Sequence, residues 1–515
     1  MRPWWQTAVV YQIYPRSFAD ADGDGIGDLD GVRAHLDHLV ALGVDALWLS
    51  PFFPSPMADF GYDVSDYCDV DPLFGDLAAF DRLVAEAHDR HLKVLIDWVP
   101  NHSSSEHPWF VAARSSRTDP HRDWYVWRDP LPGSVGPDGG PGSPPNNWIR
   151  AWGGEPAWTW DEGTAQWYLH LFLPEQPDLD WSNPEVEAAM HDTLRFWLDR
   201  GVDGFRMDVI HCIGKDPALP DDPPELAGLG HTPLNDVPQT HQLLKRIRAV
   251  LDEYPGDRTS VGEVYLLDVA RVATYYGEQD QLHLSFNFVP THLPWRAGPW
   301  RTVIRDVEEH LGGVDGWPTW VLSNHDVVRH RTRLGSDARA RAAAVLLLTL
   351  RGTPFLYAGE ELGLEDAVVP PARVVDPGGR DGCRAPIPWT AAPDHGWGPD
   401  PWLPWPPAPE VANAEVVAAD PSSIFALYRR LLRLRRATPA LHEGDLELLD
   451  GPDCVVAFRR TVGDDDRVVL VNFDDQPCLV GALGDGRVVE VASGGHVEGE
   501  AFDGALAAGA AVVLR

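Results

Sequence analysis

Eight short apolar runs, spaced along the first three quarters of the chain and mostly separated by amphipathic stretches, constrain this sequence more than any other feature. They are Val9 to Tyr14, Ala46 to Ser50, Val94 to Val99, Gly204 to Met207, Ser260 to Gly262, Leu284 to Phe288, Thr319 to Leu322 and Pro354 to Tyr357. Strand-like runs that alternate with helical ones read as parallel βαβ units. Eight of them close most economically into a (β/α)8 TIM barrel, an α/β fold. One intervening helix is signalled at both ends, because Ser182-Asn183-Pro184-Glu185 supplies a cap, a first-turn proline and a returning glutamate, and Gly201 follows the last turn. Val186, Met190, Leu194, Trp197 and Leu198 form its apolar face.

Two interruptions and a change of period set the domain organisation. Between the third run and the fourth, about 70 residues from Ser103 to roughly Pro174 intervene where a single helix would suffice. Residues 103–174 are therefore expected as an inserted domain, rich in Trp, Pro and Gly, irregular in fold and overhanging the barrel mouth. A second irregular, proline-rich insert runs from Pro370 to Pro409. The barrel then comprises residues 1–102 and 175–438 and closes with a helix from Ser422 to Arg436. Beyond Pro439 apolar residues recur with period two, in Asp445 to Leu449, Val455 to Arg459, Val468 to Phe473 and Ala511 to Leu514. Residues 439–515 are expected as a C-terminal antiparallel β domain, a β-sandwich. A chain of 515 residues, 44% of them apolar, has room for these appendages around one large body.

An α/β barrel places its chemistry where strands empty into loops. Three acids stand at such points: Asp208 after Gly204-Phe205-Arg206-Met207, Glu263 in Val261-Gly262-Glu263-Val264, and Asp326 in Ser323-Asn324-His325-Asp326. Carboxylates converging on one pocket point to acid-assisted bond cleavage, most naturally of a glycosidic bond. Arg206 lies two residues before Asp208, so both side chains leave a strand on the same side. Its charge is expected to hold the Asp208 carboxyl down, while apolar and acidic neighbours push that of Glu263 up.

Composition narrows the partners. A net charge of −36 argues against nucleic acid and suits a neutral substrate. The five cysteines, Cys68, Cys212, Cys383, Cys454 and Cys478, form no Cys-x-x-Cys pair and read as inert free thiols of a reducing compartment. Met1-Arg2-Pro3-Trp4-Trp5 lacks the apolar core of a signal peptide, and no stretch reaches the roughly 18 apolar residues of a membrane span. The expectation is a cytoplasmic protein without a membrane partner, as a monomer or small homo-oligomer.

Acids alternate with glycines in Asp20-Ala21-Asp22-Gly23-Asp24-Gly25-Ile26-Gly27-Asp28, the way oxygen ligands wrap a hard cation, with a solvated acidic turn as the competing reading. The twelfth position is Gly31 and no helix precedes the loop, so it is not an EF-hand.

These motifs carry a resemblance that spans essentially the whole chain. Asp97-Trp98-Val99-Pro100-Asn101-His102, Gly204-Phe205-Arg206-Met207-Asp208, Gly262-Glu263 and Asn324-His325-Asp326, in that order, resemble glycoside hydrolase family 13, the α-amylase family. Gln176-Pro177-Asp178-Leu179 resembles the marker of its oligo-1,6-glucosidase and α-glucosidase branch, although Asp180 stands where Asn is usual. The resemblance implies a retaining double displacement with Asp208 as nucleophile, Glu263 as acid and base, and Asp326 binding the ring hydroxyls beside His325. It implies a glucose clamp of Asp59, Tyr62, His102, Phe172, Gln176, Arg206 and Arg380, with Phe172 either stacking on sugar or packing. An Asp59–Arg380 ion pair would make the pocket blind. The implied activity is an exo-acting α-glucosidase that releases glucose from the non-reducing end of short oligosaccharides of maltose or isomaltose type, with transglucosylation.

The branch also implies structural Ca²⁺, or Mg²⁺, held by Asp20, Asp22, Asp24, Asp28 and the Ile26 carbonyl, and no organic cofactor. Val209 resembles members that cleave α-1,6 bonds, but a difference of methyl size is worth only about 1–3 kcal/mol, so linkage stays open. The variable insert Pro217 to Gln239 and the proline-rich segment would build the acceptor side. Glucosyl-transferring or isomerising relatives, such as those of trehalose synthase, sucrose isomerase or sucrose hydrolase type, remain an alternative. Non-catalytic relatives lose the acids, which this chain keeps.

Overall fold

The computed structural model describes residues 2–135, 140–226 and 229–515. All eight apolar runs form strands, at Val10–Ile13, Ala46–Leu49, Lys93–Trp98, Gly204–Met207, Thr259–Gly262, Leu284–Ser285, Thr319–Val321 and Thr353–Tyr357. They pair in parallel in chain order, and the first returns to the eighth through Val10 opposite Phe355. Both faces of these strands are buried, which is why they read as continuous apolar runs rather than as alternation. Between the sixth and seventh strands side-chain bonds link the edges: Asn287 N–H donates to Thr319 Oγ1 at 3.2 Å, and that hydroxyl donates to Ser285 O at 2.7 Å. The sixth strand ends at Ser285, short of the expected Phe288. Asn287 accepts from Val289 N–H at 3.2 Å and turns the chain into the short helix Val289–His292, with Pro290 in its first turn.

Gly204 lets the fourth strand approach the fifth, because a Cβ there would lie 2.4 Å from Thr259 O. Inside the barrel Phe355 packs edge to face with Trp48 and Phe286, among Val10, Leu95 and Val321. The helix expected after Ser182 runs Pro184–Asp199; Asn183 caps it by accepting from Glu185 N–H, and Val186, Met190, Leu194, Trp197 and Leu198 are all buried. Gly201, at φ 97°, reverses the chain beyond it. The helix Ile424–Ala437, capped by Ser423, packs against the helix Asp337–Thr349.

The insert after the third strand is more regular than its composition suggests. Trp127–Arg128, Trp158–Asp161 and Gln166–Leu169 form a three-stranded antiparallel sheet, and Arg122 lies over the Trp127 ring at 3.4 Å. At the C-terminus, Asp445–Leu449, Val455–Val462, Asp465–Asn472, Val489–Ala492 and Ala511–Leu514 form one antiparallel sheet, with Cys478–Leu479 and Ala505–Leu506 pairing beside it. Period two divides the large sheet's side chains between two cores. Val456, Phe458, Val469, Val471 and Val513 join the core that surrounds the barrel, whereas Val455, Ala457, Val468, Leu470 and Val512 pack on Leu506 and Phe502. No helix of the described residues is long and apolar enough to cross a membrane.

Candidate active site

Asp208 follows the fourth strand directly, its N–H bonded to Trp98 O at 2.9 Å, and Glu263 follows the fifth, its N–H bonded to Met207 O at 2.9 Å. The barrel ladder therefore sets the two acids side by side. They open into a cavity of about 260 Å³ at the mouth of the barrel, together with Asp326. Of the residues expected at the site, Asp59, Tyr62, His102, Phe172, Gln176, Val209 and Arg380 also line this cavity, while Arg206 and His325 stand behind its wall.

Arg206 organises the floor. Its Nη1 meets Asp208 Oδ1 at 2.7 Å and Asp97 Oδ1 at 2.5 Å, and its Nη2 donates to Glu263 Oε2. One fork thus serves three carboxylates. Glu263 Oε2 also accepts from Val209 N–H at 3.1 Å. Val209 holds φ +33°, a left-handed conformation that costs a β-branched residue energy, so the backbone beside the two acids is strained into position.

The expectation that Arg206 would hold the Asp208 carboxyl down is corrected by this environment. Burial pushes that carboxyl well above the usual carboxylate range; Arg206 opposes the rise, and the charges of Glu263 and Asp97 add to it. A guanidinium shared among three acids cannot neutralise each of them, and the Glu263 charge beside Asp208 adds to the rise. Asp97 itself is pushed up to about 6, by burial against the pull of Arg206.

Asp326 has the opposite balance. Burial raises its carboxyl, but His325, Arg380, Arg384 and Arg206 together leave it below the usual range. Its Oδ1 accepts from Arg380 at 3.0 Å and from Arg384 at 3.2 Å, and Oδ2 faces His325 Nε2 at 3.3 Å. His325 lies between the rings of Tyr14 and Tyr62. Gln12 Nε2 donates to its Nδ1 at 2.7 Å, so Nε2 carries the proton toward Tyr62 Oη, 2.6 Å away. Tyr62 Oη in turn donates to Asp97 Oδ2 at 3.3 Å. This relay fixes the tautomer of a histidine that burial lowers to about 3 and keeps neutral.

Elsewhere in the lining, Arg380 Nη2 meets Asp59 Oδ1 at 2.5 Å. Gln176 Nε2 donates to Asp59 Oδ2 at 3.1 Å, and His102, lowered to about 4 by burial, bonds Tyr62 O at 3.1 Å. Phe172 packs on His102 and Trp152, with ring centroids 5.2 and 5.6 Å away.

Several contributors were missed from the sequence. Asp376 binds Arg380 through Nε at 2.9 Å and Nη2 at 2.6 Å, and Arg384 completes the cluster. The four-residue spacing of Asp376, Arg380 and Arg384 was the available signal. Trp152, at φ +59° with Arg380 4.7 Å above its ring, also lines the cavity, as do Thr232 and Pro233 of the insert Pro217 to Gln239, which was singled out as a segment but not by residue.

In the acidic loop, Asp20, Asp22 and Asp28 bring ligand oxygens within 4.8 Å of one another, a spacing that suits a hard cation. Asp24 lies outside that group and accepts from Ile26 N–H at 2.8 Å. Gly25, at φ +90° and with a Cβ position only 2.2 Å from Asp400 O, lets the loop fold against the proline-rich insert.

A (β/α)8 barrel with paired carboxylates at the C-terminal ends of adjacent strands, in a pocket lined by hydrogen-bonding groups, defines a glycosidase. The chain belongs to the α-amylase family: residues 12–444 match the family model described as "Alpha amylase, catalytic domain". It is 44% identical over 511 residues to a probable alpha-glucosidase of Rhizobium meliloti (strain 1021), covering 92% of this chain and 90% of that protein. It is 37% identical over 526 residues to an oligo-1,6-glucosidase of Parageobacillus thermoglucosidasius, covering 92% and 91%. The structure of the alpha-glucosyl transfer enzyme XgtA superposes with a TM-score of 0.89 at 40% identity, covering 100% of both chains.

Proposed function

We propose that this glycosidase is a retaining, exo-acting α-glucosidase of short oligosaccharides, with Asp208 as nucleophile, Glu263 as acid and base, and Asp326 binding the ring hydroxyls. The observation that carries this reading is the single Arg206 fork that holds Asp208 and Glu263 together, at a pocket whose lining also holds the Asp59–Arg380 ion pair that would block its far end. Two carboxylates bound to one guanidinium fit the close pair of retaining enzymes, about 5–5.5 Å apart, better than the roughly 6.5–9.5 Å that leaves room for water between them. Double displacement requires one ionised carboxyl to attack the anomeric carbon and one protonated carboxyl to give its proton to the departing oxygen. Asp326, held ionised by Arg380 and Arg384, supplies negative charge beside a ring that becomes cationic in the transition state.

The blind end supports exo-action. A cavity of about 260 Å³ sits below the roughly 300–1,000 Å³ of pockets for drug-sized ligands, so it suits one sugar ring at a chain end. Transfer to a sugar acceptor in place of water is the second reading, favoured by the likeness to an alpha-glucosyl transfer enzyme. We assign structural Ca²⁺ to the acidic loop, with Asp20, Asp22 and Asp28 as the side chains that would hold it.

The test is a panel of α-1,2, α-1,3, α-1,4 and α-1,6 disaccharides and one linear maltooligosaccharide, followed for free glucose and for new oligosaccharides. Glucose as the first and only hydrolytic product is expected. Early release of maltose or longer fragments from the linear substrate excludes the exo reading.

A further inference from the structure

The pocket wall that holds Ala151, Trp152, Thr232 and Pro233 is built from two segments far apart in sequence that interlock. On the insert, Asn147 N–H donates to Asp221 Oδ1 at 2.9 Å, Asn147 Nδ2 donates to Asp222 O at 3.0 Å, and Asp222 N–H returns a bond to Asn147 Oδ1 at 2.7 Å. Trp148 Nε1 donates to Pro220 O at 2.8 Å, and His231 N–H donates to Ile149 O at 2.8 Å. The imidazole of His231 lies flat on the Trp148 indole, centroids 3.7 Å apart and planes 11° apart, while its Nδ1 meets both Asp222 oxygens at 2.9 and 3.0 Å. Trp148, Asp222 and His231 are all buried. Ala227 and Gly228 of the same insert lie outside the described residues.

None of these three side chains lines the cavity, but what they fix does. Thr232 and Pro233 follow His231 directly, and Ala151 and Trp152 follow Trp148 by a few residues; all four line the pocket. His211 places that wall relative to the acid, because its Nδ1 lies 3.2 Å from Glu263 O and its Nε2 lies 3.1 Å from Thr232 O. The wall is thus one imidazole away from the residue past which a leaving sugar departs.

We propose that Trp148, Asp222 and His231 form a clasp that sets the position of Thr232 and Pro233 against the leaving or accepting sugar, making Asp222 and His231 positioning residues for that sugar. The proposal rests on the hydrolase reading above. Its logic is that the clasp holds a surface touched by the second sugar and not by the glucose being transferred, so it acts only when a second sugar is present.

The test compares two donors that deliver the same glucosyl group, α-glucosyl fluoride, whose leaving group is a single atom, and maltose or isomaltose. For His231→Ala, kcat/KM for the disaccharides is expected to fall by about tenfold or more, while fluoride turnover stays within about twofold. Asp222→Asn, which keeps volume and an acceptor oxygen for His231, is expected to shift the same ratio by less. The unchanged fluoride rate also reports that each variant is folded. Equal falls with both donors, or no fall with either, overturn the clasp and leave the hydrolase reading standing. A wild-type enzyme that releases glucose from neither donor removes that reading, and the clasp with it.

Discussion

The pocket and the loop Asp20 to Asp28 both gather carboxylates, yet they neutralise them by different means. In the pocket, Arg206, Arg380 and Arg384 serve Asp97, Asp208, Glu263, Asp59, Asp326 and Asp376, and the guanidinium groups themselves are buried. In the loop, the partners are backbone amides: Gly23, Gly25 and Gly398 donate to Asp20, Asp24 to Asp22, and Ala21 and Gly31 to Asp28. Buried guanidinium groups cancel charge unevenly, and the uneven remainder makes one acid different from the next. Amides at a wetter surface only orient oxygens and leave the net charge in place, which suits an ion. Like-charge crowding is already felt there, since burial and then the charges of Asp22 and Asp20 raise the Asp28 carboxyl against its amide bonds.

The comparison breaks most sharply at Asp208. Asp208→Asn keeps volume and the Arg206 contact but cannot form a covalent glucosyl intermediate, so kcat should drop by at least about 10⁴-fold with thermal unfolding little changed. Near-normal hydrolysis by that variant excludes the proposed nucleophile. Arg206→Met strikes the neutralising group itself. Stranding buried carboxylates without their partner is expected to destabilise the fold by about 3–5 kcal/mol, measured by urea unfolding. A loss below about 1 kcal/mol would mean that the acids simply take up protons and that the fork contributes little.

A graded effect follows from the pocket's histidines and others like them. Burial lowers His102, His107, His170 and His211 to about 4, and His283, His325 and His330 to about 3, against about 6.5 in an unfolded chain. Between pH 4 and 6.5 the unfolded state binds more protons at these sites, so stability is fully present above about 6.5 and is lost as pH falls. Glu360, raised to about 8, and Asp63 and Asp97, raised to about 6, all by burial, work in the other direction and are destabilising as pH rises from about 4 toward those values. The seven histidines outnumber these three carboxyls, so the denaturation midpoint should climb from pH 4.5 to 6.5 and then flatten or turn down. A midpoint that falls steadily across the lower window contradicts the neutral buried histidines.

The barrel was legible in the sequence because parallel strands buried on both faces are written as apolar runs, and the acids were legible because each ends such a run. The end of the sixth strand was misjudged because Phe286 and Phe288 are apolar for the sake of the barrel interior rather than for a ladder. The insert's sheet was hidden because Trp158–Asp161 and Gln166–Leu169 are four residues each and mix Trp with Asp and Gln instead of forming an apolar run. What sequence could not convey was the division of charge. Arg206 beside Asp208 suggests a depressed carboxyl until Asp97 and Glu263, distant in the chain, are seen to draw on the same guanidinium. The insert Pro217 to Gln239 was expected at the acceptor side, but which of its residues line or support the pocket was not legible, since loops acquire roles only from the partners that tertiary structure brings.

The smallest expected effect belongs to the loop, and it discriminates because its sign depends on the ion. With excess Ca²⁺, a site filled at about 100 times its dissociation constant adds about 2.7 kcal/mol, and Asp22→Ala, which removes one of the three converging oxygens, should lose much of that as a fall in melting temperature of a few degrees. In chelator the same substitution relieves repulsion on Asp28, whose carboxyl the Asp22 charge helps to raise, so the variant should melt at or slightly above the wild type. Crossing curves are therefore the signature of a cation held by crowded acids. Wild-type melting that is identical with Ca²⁺ and with chelator would show the loop to be a solvated acidic turn, oriented by its amides for no guest.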